Sequence, residues 1–238
     1  MLNNQKICAI VPAAGIGSRM KSDRPKQYMK INGMTVLEHT VMRLLNHSDI
    51  DHIVIAINEH DPYFSTLSLN RDPRISVVNG GKERSDSVLC ALKYLQTALN
   101  YDWVMVHDAA RPCLQGDDID KLITAARSHS VGAILATPVR DTMKRGNGLQ
   151  HNVIDHTVSR ENLWHALTPQ MFPLKSLIKN LTLTWERGDV ITDEASCFEA
   201  NNLMPMLVHG RADNIKITQP EDLALAAFHL NLSDKKER

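Results

Sequence analysis

Apolar residues fall into short runs separated by stretches with helical spacing. Residues 6–11 (KICAIV) form an apolar run that ends in a Pro-Ala-Ala-Gly turn, the pattern of a buried strand. Residues 35–46 (TVLEHTVMRLLN) carry apolar groups at helical spacing, and 52–57 (HIVIAI) form a second buried strand. Residues 75–78 form a third, ending at Asn79-Gly80-Gly81. A helix follows over 85–98, with Val88, Leu89, Leu92 and Leu95 on one face. Residues 102–106 (DWVMV) are a strand ending at His107-Asp108, 117–129 a helix and 132–137 (GAILAT) a strand. Strands that are apolar almost throughout, alternating with helices, predict an α/β fold with a mostly parallel sheet and helices on both faces.

The pattern changes after Pro138. Residues 139–160 alternate polar and apolar positions around Gly146-Asn147-Gly148, which predicts a protruding β-hairpin arm at about 138–160. Its apolar content is too small for a core of its own, so it must pack on something else. Residues 174–186 and 193–201 read as helices, and 205–208 and 214–217 as short strands. Pro220-Glu221-Asp222 opens a last helix running to about residue 230, followed by a frayed SDKKER tail. No linker or repeat divides the chain, which is read as a single domain over residues 1–238.

Composition narrows the classes. The 238 residues hold 43% hydrophobic and 23% charged residues, ordinary for a globular protein with a sizeable core. Lys plus Arg equals Asp plus Glu at 27 each, so there is no global field for nucleic acid, and any anion site is a local cluster. The scattered Cys8, Cys90, Cys113 and Cys197 make no CxxC pair, and the expectation is reduced thiols in a cytosolic protein. No apolar stretch approaches a bilayer span and no signal peptide is evident, so neither a membrane nor a nucleic acid is expected as a partner.

Four segments carry candidate chemistry. Pro12-Ala13-Ala14-Gly15-Ile16-Gly17-Ser18-Arg19-Met20, then Pro25-Lys26-Gln27, follows the first strand directly. Small residues there let backbone N–H groups approach an anion. Met20 stands where a dinucleotide fingerprint needs its third glycine, and no Gly-Lys-Ser/Thr completes a Walker loop. A triphosphate loop with Arg19 and Lys26 as its cations remains, against a plain glycine turn with two solvated cations. Val106-His107-Asp108-Ala109-Ala110-Arg111-Pro112 places a carboxylate past a strand end, where ligands bind in open α/β sheets. Asp108 suits a divalent cation, and an Asp108–Arg111 structural pair is the alternative. Gly80-Gly81-Lys82-Glu83-Arg84-Ser85-Asp86-Ser87 is a glycine turn entering a helix, suited to a nucleobase or ribose or simply a capped helix start. Arg140, Arg160 and Lys216 are dispersed cations that matter only if the fold returns them to one cleft. No Gly-x-Ser-x-Gly elbow is present.

Taken in order, Pro-Ala-Ala-Gly-x-Gly-x-Arg, Pro-Lys-Gln, Gly-Gly-x-x-Arg-x-x-Ser, Val-His-Asp-Ala-Ala-Arg-Pro, Pro-Val-x-Asp-Thr, Leu-Trp-x-x-x-Thr-Pro-Gln, Thr-Asp-Glu-Ala and Asn-Ile-Lys-Ile-Thr resemble the 2-C-methyl-D-erythritol 4-phosphate cytidylyltransferase family of non-mevalonate isoprenoid synthesis. The resemblance runs from about residue 6 to 230. Lys82 departs from the family pattern, which carries an acidic residue there.

The resemblance implies a Rossmann-like sheet, CTP and Mg²⁺, a sugar-alcohol phosphate acceptor, and a homodimer joined through the arm. By motif position, Arg19 and Lys26 match the residues that stabilise the pentavalent α-phosphorus. Arg160 and Lys216 match those that hold the acceptor phosphate, Arg160 serving the neighbouring subunit. These four cations are the expected catalytic set, and Asp108 the metal-side carboxylate. Ala13, Ala14, Gly81 and Ser87 match cytidine contacts, with Gly15, Gly17, Gly80, Arg84, Asp108 and Arg111 completing the nucleotide site. Arg140, Asp141, Thr142 and Thr168 join Arg160 and Lys216 on the acceptor side. The rival readings are a ribitol 5-phosphate cytidylyltransferase, a non-catalytic nucleotide-binding module and a dinucleotide oxidoreductase.

Overall fold

The computed structural model describes residues 5–15, 24–148 and 153–236, with side chains as far as residue 232. A seven-stranded sheet runs in the order β11-β7-β10-β6-β1-β4-β5. Its strands are β1 (Ile7–Pro12), β4 (Ile50–Ile57), β5 (Ile75–Asn79), β6 (Trp103–Val106), β7 (Ala133–Pro138), β10 (Trp164–Pro173) and β11 (Met206–His209). All neighbours pair in parallel except β10, which runs antiparallel between β6 and β7. This is the mostly parallel sheet that the sequence predicts.

The two-residue period of the strands sorts the core into two layers. Ile7, Ala9 and Val11 face one side with Ile53, Ile55 and Met105, and pack against α1 (Val36–Leu45) and α3 (Gly116–Ser128). Cys8 and Ile10 face the other side with Val54, Val104 and Val106. They meet α2 (Arg84–Ala98), α4 (Leu174–Glu186) and α5 (Glu194–Glu199). Phe172 of β10 stacks on Phe198 of α5 with ring centroids 4.3 Å apart. A third cluster seats α6 (Glu221–Lys236) through Ala226 and Leu230 on Ile31, Ala110, Cys113 and Ile217. Helix α1 begins with a reciprocal cap in which the Thr35 hydroxyl accepts from Glu38 N–H and the Glu38 carboxylate accepts from Thr35 N–H.

Differences from the sequence reading concentrate after residue 138. Strand β10 was not expected. Its Thr-Pro-Gln centre breaks the alternation and coincides with an irregularity in the pairing to β7 between Ala166 and Gln170. Residues 214–217, expected as a strand, form no ladder and are tied by single bonds, among them Ile217 N–H to Ala110 O at 2.9 Å. Helix α5 is shorter than the expected 193–201, and α6 extends past residue 230 to Lys236. The arm is present as the antiparallel pair β8 (Met143–Gly146) and β9 (Ile154–Val158), with β9 almost wholly exposed. A small hairpin of β2 (Lys30–Ile31) and β3 (Met34–Thr35) precedes α1.

Candidate functional site

Strand order reverses at β1: β4 and β5 lie to one side, and the chain then crosses through α2 to β6 on the other. In open α/β sheets such a reversal leaves a crevice at the carboxyl ends of the strands. A cleft lies there, lined by Pro12–Gly15 after β1, Lys26 and Gln27, Gly81–Arg84 and Ser87 at the start of α2, Asp108–Ala110 after β6, and Lys216.

Each wall is held by identifiable bonds. Gln27 Nε2 donates to Ala13 O at 2.7 Å and Gly15 O at 2.9 Å, fixing the first loop. Lys26 and Gln27 belong to a single 3₁₀ turn, Lys26–Tyr28, anchored by the Tyr28 hydroxyl donating to Asp61 at 2.7 Å. Lys26 Nζ donates to Ile217 O at 2.9 Å, so the turn also grips the 214–217 segment. Gly80 abuts the first loop closely enough that a Cβ there would lie 2.6 Å from Ala14 Cβ and 2.7 Å from Ser87 Oγ. Gly81 N–H donates to Ser87 Oγ at 3.1 Å, and Ser87 Oγ donates to Glu83 O at 3.2 Å.

Asp108 is the electrostatic centre. Its Oδ1 accepts from Arg84 Nε at 2.8 Å, and its Oδ2 meets Lys216 Nζ at 2.9 Å and Arg111 Nε at 3.4 Å. Burial alone would raise this carboxyl, but Arg84, Lys216 and Arg111 outweigh burial and hold it well below the usual carboxylate range. Arg84 makes a second, two-pronged pair with the buried Glu194, at 2.7 and 3.0 Å. Arg111 Nη1 donates to Asn214 O at 2.7 Å. His107 is fully buried behind the carboxylate, and burial pushes its pKa down from 6.5 to about 4. Its two ring nitrogens meet Arg111 O and Thr168 Oγ1, so it offers no base to the cleft.

The structure therefore gathers Ala13, Ala14, Gly15, Lys26, Gly81, Arg84, Ser87, Asp108 and Lys216 in one lining, with Gly80, Arg111 and Thr168 directly behind it. Arg19 and Gly17 lie outside the described residues. Arg140, Asp141, Thr142 and Arg160 are exposed at the base of the arm and do not line the cleft, and Arg160 Nη1 donates to Arg140 O. Gln27, Glu194, His107 and Asn214 carry structural bonds of the site that the sequence reading did not assign. All four stood inside quoted motifs, but nothing in the sequence told which backbone or side chain they would reach.

Residues 7–232 match the family described as 2-C-methyl-D-erythritol 4-phosphate cytidylyltransferase. The Vibrio atlanticus protein of that name is 61% identical over 227 residues, covering 95% of this chain and 96% of that protein. The Vibrio cholerae protein of the same name is 57% identical, covering 99% of this chain and 100% of that protein. The crystal structure of the Francisella tularensis 2-C-methyl-D-erythritol 4-phosphate cytidylyltransferase superposes with a TM-score of 0.81 at 37% identity, covering 94% of this chain and 99% of that one.

Proposed function

The chain belongs to the 2-C-methyl-D-erythritol 4-phosphate cytidylyltransferase family, and on that premise we propose that the cleft at the ends of β1 and β6 moves CMP from CTP to 2-C-methyl-D-erythritol 4-phosphate in isoprenoid precursor synthesis. The observation that carries this reading is the convergence of Lys26, Arg84, Arg111 and Lys216 around Asp108 beside a loop of small residues.

The chemistry follows from charge. A phosphate monoester is largely dianionic at neutral pH, its second pKa being about 6. One of its oxygens attacks the α-phosphorus, the bond to the pyrophosphate oxygen breaks, and no general base is required. The demand is for preorganised cations where anionic charge meets and grows, which is what this cleft supplies. Ala13, Ala14, Gly15, Gly80, Gly81 and Ser87 are the proposed nucleoside wall, and Gly17 is a further proposed nucleotide contact. Lys26 and Arg19 are the proposed α-phosphoryl contacts and Lys216 the acceptor-phosphate contact. Arg84 and Arg111 hold Asp108 between them. Thr168 fixes the Asp108 backbone from behind.

A divalent cation fits only in company with the nucleotide. Among the described residues no group of three or more His, Cys, Asp or Glu is placed to hold a metal, and both Asp108 oxygens already accept from cations. Such a donor set suits Mg²⁺ brought in on triphosphate oxygens, with Asp108 supplying a single protein oxygen. When bound, the metal would offset triphosphate charge.

We further read the chain as one nucleotidyltransferase domain and a homodimer, with Arg140, Asp141, Thr142 and Arg160 delivered by the arm to the neighbouring subunit's cleft. No described helix is long and apolar enough to cross a membrane. The four unpaired cysteines support a cytosolic placement.

A pyrophosphate-release assay crossing four nucleoside triphosphates with methylerythritol phosphate and ribitol 5-phosphate tests the assignment. CTP with methylerythritol phosphate should give the fastest turnover. Equal turnover with ATP, GTP or UTP, or preference for ribitol 5-phosphate, would overturn it.

A further inference from the structure

Directly behind Asp108, four hydrogen bonds close into a ring. Arg111 O meets His107 Nε2 at 3.1 Å, and His107 Nδ1 meets Thr168 Oγ1 at 3.0 Å. Thr168 O accepts from Asn214 Nδ2 at 2.8 Å, and Asn214 O accepts from Arg111 Nη1 at 2.7 Å. The four residues come from the end of β6, the turn after it, the irregular centre of β10 and the segment that carries Lys216. His107 has no solvent exposure, so it touches neither substrate nor solvent.

We propose that His107 is a positioning residue of this site, a singly protonated imidazole with its proton on Nε2, whose ring of bonds locks the Asp108–Arg111 turn to β10 and to the Lys216 segment.

The tautomer follows from donor accounting. Arg111 O can only accept, so Nε2 must carry a proton. Thr168 Oγ1 already accepts the Asp108 N–H at 3.0 Å. Were Nδ1 also protonated, Thr168 Oγ1 would face two N–H donors, and its own hydroxyl proton would have no acceptor among its bonds in the structure. With Nδ1 bare, the Thr168 hydroxyl donates to it, and both imidazole nitrogens and the hydroxyl are satisfied.

The ring matters because it supports the backbone from which the cations are aimed. Asp108 N–H is held by Thr168 Oγ1, Ala109 O accepts from Thr40 Oγ1 at 3.0 Å, and Ala110 O accepts from Ile217 N–H at 2.9 Å. The Asp108 carboxylate then sets where Lys216, Arg84 and Arg111 point. A space-filling histidine would ask only for volume. This one uses both ring nitrogens to tie the turn after β6 to Thr168 of β10, beyond the last β6–β10 pair at Val106 and Gln170.

The inference rests on the cytidylyl-transfer reading of the same cleft, and two measurements keep the two claims separable. The first is the ¹⁵N spectrum of the wild-type histidine side chains at neutral pH, which needs no turnover. His107 should show a protonated Nε2 and a bare Nδ1, and a protonated Nδ1 would overturn the proposal. The second is a double-mutant cycle in kcat, using His107→Phe, Thr168→Val and the combination. Each single change should lower kcat by roughly 10- to 100-fold through misplacement of the reacting groups, with KM for CTP little changed. The double variant should be no slower than the worse single, because both break one ring. Multiplying effects, or a folded His107→Phe with wild-type kcat, would overturn it. His107→Gln, which keeps an N–H for Arg111 O, should recover part of the lost rate. Failure of wild-type enzyme to release pyrophosphate from CTP would instead strike the functional reading and leave the tautomer result standing.

Discussion

Lys26 and Lys216 meet at one peptide segment, Lys26 donating to it and Lys216 belonging to it, yet their bonds give them different work. Lys26 Nζ donates to the neutral Ile217 O, a bond it can exchange for one to an incoming phosphate, and its charge also helps hold the Asp222 carboxyl low. Lys216 Nζ rests on the Asp108 carboxylate, a fixed charge that keeps it in place. Loss of one preorganised donor at a reacting centre typically costs roughly 10²–10³ in turnover. Lys26→Ala should therefore depress kcat by that order with little change in acceptor KM. Lys216→Ala should chiefly raise acceptor KM. The fold should survive, because Arg84 and Arg111 still neutralise Asp108. Steady-state kinetics in both substrates, with CTP binding by calorimetry, separate the two. If Lys216→Ala weakens CTP binding as much as acceptor binding, this division of roles is wrong. At this scale the sequence pointed to Lys26, Asp108 and Lys216, which are far apart in the chain and meet in one lining, whereas Arg160 lies outside it. It did not show what each charge would touch. That Arg84 bridges Asp108 to Glu194, or that His107 reaches Thr168, depends on pairings across 24 to 110 residues that no local pattern encodes.

Elements position these charges through a few close approaches, one of which joins the loop after β1 to the turn before α2. An alanine methyl at Gly80 would sit 2.6 Å from Ala14 Cβ and 2.7 Å from Ser87 Oγ, so one loop must move. Overpacking of this kind costs about 1–3 kcal/mol. Gly80→Ala should lower the melting temperature and weaken CTP binding by about tenfold, the equivalent of about 1.4 kcal/mol. Gly116→Ala is the control: its methyl would meet nothing within 4 Å, and it should lower neither. A Gly80→Ala enzyme that binds CTP like wild type would show that the two loops are not coupled. The elements that build this end of the sheet were legible because buried parallel strands are apolar runs and helices show their period. Strand β10 was not, since Thr168-Pro169-Gln170 interrupts its alternation where β10 and β7 lose register. The segment 214–217 misled in the other direction, being apolar at alternate positions yet joined to its neighbours by single bonds rather than a ladder.

The arm raises the question of the whole molecule. The arm buries little in this chain, Val153 and Ile154 being 43% and 59% exposed, and an isolated two-stranded hairpin is marginal in water. A second copy of the chain would give those strands a surface to pack on. The acceptor-side residues predicted at the arm's base, Arg140, Asp141, Thr142 and Arg160, do not line their own chain's cleft, whereas Lys216 does. If the arm delivers Arg160 to its neighbour's cleft, each site of a two-fold dimer draws Lys216 from one chain and Arg160 from the other. Arg160→Ala and Lys216→Ala enzymes should then each be feeble alone and complement one another when mixed. In a heterodimer of the two, one site holds both defects and the other holds none. After equal mixing and full exchange of subunits, half the dimers are mixed and one site in each is intact, so activity should recover to about one quarter of wild type. Were Arg160 to act within its own chain, every site in the mixture would carry a defect and mixing would restore nothing. Recovery on mixing, measured by pyrophosphate release beside sedimentation to confirm dimers, thus decides between a shared site and a self-contained one.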